Sequence, residues 1–182
     1  MVIKYGAAPK RFQSKWDTTQ AGSANDTVVL PLRSDGSYNF RIDWGDGKEN
    51  RDNITVYNQS EVTHQYDDTG IYTIKVVGDI TGWHFNDGGD DDKITEISSW
   101  GPLRFVDNDN SIFRRCSNLT LTATDSLTLG TNNAYQLFRY ARILGSDGDM
   151  NSWDTSACNT MYRTFTDATG FNCPIVTGKQ NQ

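Results

Sequence analysis

The stretch Phe40-Arg41-Ile42-Asp43-Trp44-Gly45-Asp46-Gly47 leaves the backbone few choices. Phe40, Ile42 and Trp44 alternate with polar residues and then meet Gly-Asp-Gly, the pattern of a half-buried strand running into a tight turn. The segment from Val62 to Val77 answers it. There Tyr72, Ile74 and Val76 share one face, while Asp67-Asp68-Thr69-Gly70 supplies residues that accept φ > 0 or bond their own backbone. Thr27 to Leu32 is a β-branched run expected to form the first strand of a sandwich, with Pro31 holding it near an edge. Ser34 to Ser37 reads as a turn, and Lys48 to Gln59 as a further short strand or a crossing loop. Met1 to Gln20 carries Phe12 and Trp16 and reads either as an extended arm pinned by aromatics or as a disordered terminus.

Beyond Gly78 the pattern changes. Asn86-Asp87-Gly88-Gly89-Asp90-Asp91-Asp92 is acidic and glycine-rich, and is the expected boundary between two units. After it the chain repeats. Phe113-Arg114-Arg115-Cys116, Phe138-Arg139-Tyr140-Ala141 and Phe165-Thr166-Asp167-Ala168 each show Phe, two variable residues and a small residue, with the Phe positions 25 and then 27 apart. Trp100, Leu127 and Trp153 precede them in turn. A period of this size marks a solenoid whose units bury their apolar faces against their neighbours. The expected division is an arm over 1–23, a β-sandwich over 24–82, a linker over 83–93, repeats over 94–175 and a tail over 176–182.

Two resemblances bear on these halves. Asp43-Trp44-Gly45-Asp46-Gly47, then Thr63-His64-Gln65-Tyr66, then Gly70-Ile71-Tyr72-Thr73-Ile74 resembles the ordered W-G-D-G, H-x-Y and G-x-Y-x-V motifs of PKD-type β-sandwich domains. Trp153-Asp154-Thr155-Ser156 through Met161 and Phe165, with Ala168, Phe171-Asn172 and Ile175, resembles the repeat unit of BspA-type leucine-rich-repeat surface proteins. It departs from that unit at Cys158, where Val is usual, and at Thr164, where Met is usual. The fold class so implied is mixed and β-rich: a PKD- or immunoglobulin-like β-sandwich followed by a short leucine-rich-repeat-type solenoid. Each repeat is then expected to contribute a short strand and a short helical turn.

Composition narrows the function classes. With 23 acidic and 17 basic residues the chain carries a net charge of -6, which argues against nucleic acid or an anionic membrane as the main partner. No apolar run approaches the roughly 20 residues of a membrane span, and the N-terminus lacks the layout of a secretory signal. The cysteines, Cys116, Cys158 and Cys173, read as small apolar fillers of a reduced protein. No zinc, metalloprotease or serine-hydrolase motif is present.

Two acidic groups are weighed for calcium, which takes 6–8 oxygen ligands. Asp43, Asp46, Asp67 and Asp68 read as turn chemistry. Asp87, Asp90, Asp91 and Asp92 are the weak metal candidates, against the alternative of a solvated loop. His64 and His84 read as packing residues. Structural roles are expected for Trp44, Tyr72, Trp100, Phe113, Phe138, Trp153 and Phe165, and docking roles for Phe12, Trp16, Phe171 and Ile175.

No catalysis and no cofactor are expected. The best-formed repeat is the last one, and an end without a polar cap invites a protein partner or another copy. The expectation is an exterior assembly or recognition protein on a phage particle, as decoration or tail component, or alternatively a bacterial surface adhesin. The phage context needs no export, since virion proteins are made in the cytoplasm. A glycan-binding or glycan-active protein, with a host-surface glycan as partner, is the competing class; it requires a concave site with carboxylates and free aromatics.

Overall fold

A computed structural model describes residues 10–49, 52–106, 110–129, 134–148, 150–151 and 153–173. The strands are β1 (Phe12–Asp17), β2 (Thr27–Val29), β3 (Leu32–Asp43), β4 (Asn53–Ile54), β5 (Thr63–Gln65), β6 (Ile71–Trp83), β7 (Ile94–Ser99), β8 (Leu103–Arg104) and β9 (Thr120–Leu121). Among the described residues the only helix is the 3-10 turn Ser60–Val62. The chain thus forms a mixed, largely β-stranded domain with little helix.

One sheet runs in the order β4-β3-β6-β1-β7-β9, with β8 beside β6, while β2 and β5 pair separately. β1 lies between β6 and β7 and is antiparallel to both. Alternation then decides its side chains: Phe12, Ser14 and Trp16 all point inward and are fully buried. Phe12 and Trp16 pack edge-on against Trp83, at ring distances of 5.1 and 6.1 Å. The docking roles expected of Phe12 and Trp16 are therefore corrected to core roles, because a strand hydrogen-bonded on both sides presents no free edge to a partner. β1 also carries the sheet past the acidic stretch at 83–93, since β6 ends on one side of it and β7 begins on the other.

The run from Thr27 to Leu32 divides at Pro31. Pro31 has no N–H to give a ladder, and the chain leaves β2, in the small sheet, to enter β3 in the large one. The expected turn at Ser34–Ser37 is instead a register irregularity within β3 between Leu32 and Ser37. The Tyr38 hydroxyl pins it, accepting from the Arg33 amide at 2.8 Å and lying 2.9 Å from the Arg33 and Gly82 carbonyls.

The three PKD-like motifs converge. Gly45 has φ +78°, and a Cβ there would run into the Thr73 carbonyl, so glycine is required by both conformation and space. Beyond it Asp46 meets His64 Nε2 at 3.0 Å. His64 stacks on Trp44 at 4.8 Å, and Tyr66 donates to the Trp44 carbonyl at 3.0 Å while stacking on Tyr72. Burial pushes the Tyr66 hydroxyl well above the usual phenol range, so it stays a neutral donor.

From β7 onward the backbone advances in parallel layers. β9 pairs with β7 in parallel through Glu96–Thr120 and Ile97–Leu121. Isolated parallel bridges Thr128–Asp154 and Gly145–Phe171 continue the advance. Alternate amides donate across layers: Ser111, Phe113 and Arg115 to the carbonyls of Tyr135, Leu137 and Arg139, at 2.8–2.9 Å. Ala134, Gln136, Phe138 and Tyr140 repeat the pattern with Thr160, Tyr162, Thr164 and Thr166, at 2.8–3.1 Å. Each layer is a string of turns among the described residues, and where a short helical turn is expected no helix forms. The reason lies in the backbone: the residues two before and two after each Phe have φ of +56 to +63°, at Ser111 and Arg115, Gln136 and Tyr140, and Arg163 and Asp167. A right-handed helix cannot pass through such residues.

Inside the layers the rings of Phe113, Phe138 and Phe165 stack at 5.4 and 5.8 Å with planes within 8° of parallel. Trp100 and Trp153 meet edge-on at 5.7 Å beside them. Phe85 bridges the two parts of the core, lying 5.9 Å from Trp83 and 6.2 Å from Phe113.

Candidate functional site

The acidic stretch does not form a metal centre. Asp90 is buried and its carboxylate accepts from the amides of Ser23 and Val29 and from the Ser23 hydroxyl, at 2.6–2.9 Å. Asp87 pairs with Arg114 at 3.2 Å and with Arg115 at 3.0 Å. Among the described residues no three acidic, His or Cys side chains converge as metal ligands. The reading of Asp87, Asp90, Asp91 and Asp92 as a shared cation site or as a merely solvated loop is corrected on both counts for Asp87 and Asp90, whose oxygens are taken by protein donors. Asp43, Asp46 and Asp67 likewise each face a separate cationic or imidazole partner: Lys75, His64 and Lys48.

For Asp91 the relief, a hydrogen bond from the Asp92 amide and the charge of Arg115, is outweighed. Burial, with the charges of Asp92 and Asp87, pushes its carboxyl up to about 6 from an ordinary 3.8. The folded state therefore holds this proton more tightly than the unfolded chain, and the contribution to stability falls as pH rises from about 4 to 6. Asp91→Asn is expected to stabilise the fold at pH 7.5 by about 1–2 kcal/mol, a figure reduced for partial exposure, and to be neutral at pH 3.5. Denaturant midpoints at the two pH values check this; a pH-independent effect contradicts it.

The layers bring together a different set of charges. Arg114 and Arg115 follow Phe113, and Arg139, Tyr140 and Arg142 follow Phe138, so the repeat places them on the same side of adjacent layers. Asp87, Arg114, Arg115, Ser117, Tyr140 and Arg142 line a cleft of about 430 Å³. Asp87 is its only carboxylate, and Arg142 makes no ion pair among the described residues. Arg139 Nη2 donates to the Tyr140 hydroxyl at 2.8 Å, which occupies a lone pair and leaves the phenol proton to point elsewhere. Three guanidinium groups against one carboxylate make this a positively charged concavity on a chain whose net charge is -6.

A second feature lies at the last described layer. Moving 27 residues on from Ala134, Gln136, Phe138 and Tyr140 reaches Met161, Arg163, Phe165 and Asp167, whose amides occupy the same positions one layer later. Among the described residues these amides have no acceptor. The side chains beside them are open too, with Met161 43% and Tyr162 55% exposed, whereas Ala134 in the preceding layer is buried. Phe171 is half-buried against Phe165 at 4.1 Å, and Ile175, the other expected docking residue there, lies outside the described residues.

Comparisons with protein-family models, with curated proteins and with solved structures find no match. The cleft and the amide edge therefore carry the functional argument. The last repeat is the docking end expected from the sequence; the cleft is not among those expectations. The signal for the cleft is the 25-residue offset that aligns Arg114 with Arg139 and Ser117 with Arg142, positions that count as variable in the Phe-centred repeat. His84 is half-buried, its amide donating to the Pro31 carbonyl at 2.8 Å, and burial, with Arg33 nearby, lowers its pKa, so it offers no charge at neutral pH.

Proposed function

We propose that the protein is a non-enzymatic exterior structural and recognition component, a PKD-like sandwich leading into a leucine-rich-repeat-type stack that joins a particle or cell surface. The row of amides at Met161, Arg163, Phe165 and Asp167, which have no acceptor among the described residues, carries this reading. A partner backbone that offers carbonyls at the same spacing adds a layer there, the stack's analogue of pairing at a sheet edge. End-to-end growth from a second copy fits less well than a different protein. The carbonyls of Ser111 and Ile112, on the first layer's opposite side, already accept from Asn86 and Phe85 at 3.2 and 2.9 Å.

A virion decoration or tail component is the favoured context and a bacterial surface adhesin the alternative. Both rest on the motif resemblances and use the same end of the molecule. Purification from the native source under mild conditions tests the reading. The protein is expected in a stable complex with particle or envelope proteins, with the amides of Met161, Arg163, Phe165 and Asp167 protected from hydrogen exchange there and fast-exchanging in the isolated chain. Recovery as a free monomer that cleaves glycans would overturn it.

A further inference from the structure

We propose that the cleft lined by Arg114, Arg115, Ser117, Tyr140 and Arg142 is a recognition site for the oxyanion of an acidic glycan. The site lies along the flank of the layers, away from the amide edge, so it deepens the recognition reading without depending on the docking one. Guanidinium groups from consecutive layers face one space, and nothing in the core requires it. The layers are held by backbone bonds and by the Phe column, both of which tolerate any polar side chain on the flank.

The donor geometry is that of an anion site. Asp87 meets Arg114 Nη2 at 3.2 Å and Arg115 Nε at 3.0 Å, contacts that draw both guanidinium groups to the cleft without using the Nη groups of Arg115. Planar guanidinium forks match a carboxylate or a phosphate bidentately. Arg142, free of an ion pair among the described residues, closes the set from the next layer, and Tyr140 contributes a hydroxyl whose lone pair is already engaged by Arg139. A volume of about 430 Å³ lies within the range of small-ligand sites and accommodates a sugar ring with its charged substituent. Three guanidinium groups on a chain of net charge -6 favour a short anionic group over the extended backbone of a nucleic acid.

Titration of the full chain with a glucuronate oligosaccharide, inorganic phosphate, a neutral glucose oligosaccharide and a single-stranded oligonucleotide, followed by NMR shifts of the Arg115 and Arg142 amides, tests the proposal. Glucuronate, phosphate or both are expected to shift these amides, the pattern telling a carboxylate from a phosphate source, and the neutral sugar is not. Arg142→Gln is expected to weaken that binding by about tenfold or more, with its melting temperature unchanged and Arg142→Lys restoring part of the affinity. No response to either anion, wild-type binding by Arg142→Gln, or tighter binding of the oligonucleotide than of glucuronate through the same amides would overturn it.

Discussion

Replacing Lys93 by methionine is expected to destabilise the protein by about 3–5 kcal/mol, the range found when one partner is removed from a buried ion pair. Lys93 is 0% exposed, which for a lysine demands compensation. Its ammonium lies 2.7–3.1 Å from four oxygens: the carbonyls of Ser23, Ala24 and Thr27 and the Ser23 hydroxyl. Asp90 stands 4.0 Å away. Burial lowers the Lys93 pKa, and the charges of Asp90, Asp26 and Asp17 oppose that shift.

Methionine fills most of the volume but leaves the Ser23 carbonyl without its donor and the Asp90 carboxylate without a counter-charge. Those two losses, not lost packing, set the size of the effect. Lys93→Met with Asp90→Asn is therefore expected to cost less than the sum of the single changes, because the second change removes the orphaned charge. Urea unfolding of the four proteins measures the coupling. A loss below about 1 kcal/mol for Lys93→Met would show that the site relaxes around water, contrary to this account.

The same residue shows where the sequence is legible and where it is not. Phe40, Ile42 and Trp44, and Ile74 and Val76, occupy inward positions of β3, the turn after it, and β6 as their alternation implies. Alternation is a local property, so a local reading finds it. The spacing of Phe113, Phe138 and Phe165 likewise corresponds to rings that stack, because a constant offset in sequence becomes adjacency when layers repeat. Asp90, by contrast, reads as a member of a solvated acidic loop, and Lys93 as the last residue of the linker. What buries them is the segment from Ser23 to Val29, more than 60 residues earlier in the chain, and nothing local announces that meeting.

Strand β1 fails for a related reason. Phe12, Ser14 and Trp16 alternate, but Ser14 breaks the apolar pattern, and its hydroxyl is buried only because Trp16 Nε1 donates to it at 2.8 Å. The positive φ values at Arg115, Gln136 and Tyr140 were equally hidden, since the residues that usually announce such backbone are Gly, Asn and Asp. The cleft arginines sit on or beside those turns, so the expectation of a short helical turn does not bring them together.

Phe138→Ala is expected to cost about 3–5 kcal/mol, against a smaller loss for Phe165→Ala. Phe138 is fully buried and lies between two parallel rings, with Trp153 a third aromatic neighbour at 6.0 Å. Its removal leaves a void flanked by planar walls. Neither wall can collapse into it, because the layers are held at fixed spacing by amides on either side of the ring, Gln136 to Tyr162 and Tyr140 to Thr166, at 3.0–3.1 Å. Phe165 is only partly buried, so part of its surface already meets water and its truncation removes less from the core. Phe138→Leu refills much of the volume but not the stacking, and is expected to fall between wild type and Phe138→Ala. Denaturant unfolding that ranks the variants Phe138→Ala, then Phe138→Leu, then wild type in rising stability supports a column that spans the layers. Equal, small losses at 138 and 165 would mean that the layers are held by their backbone bonds alone, and that the rings fill space without joining one layer to the next.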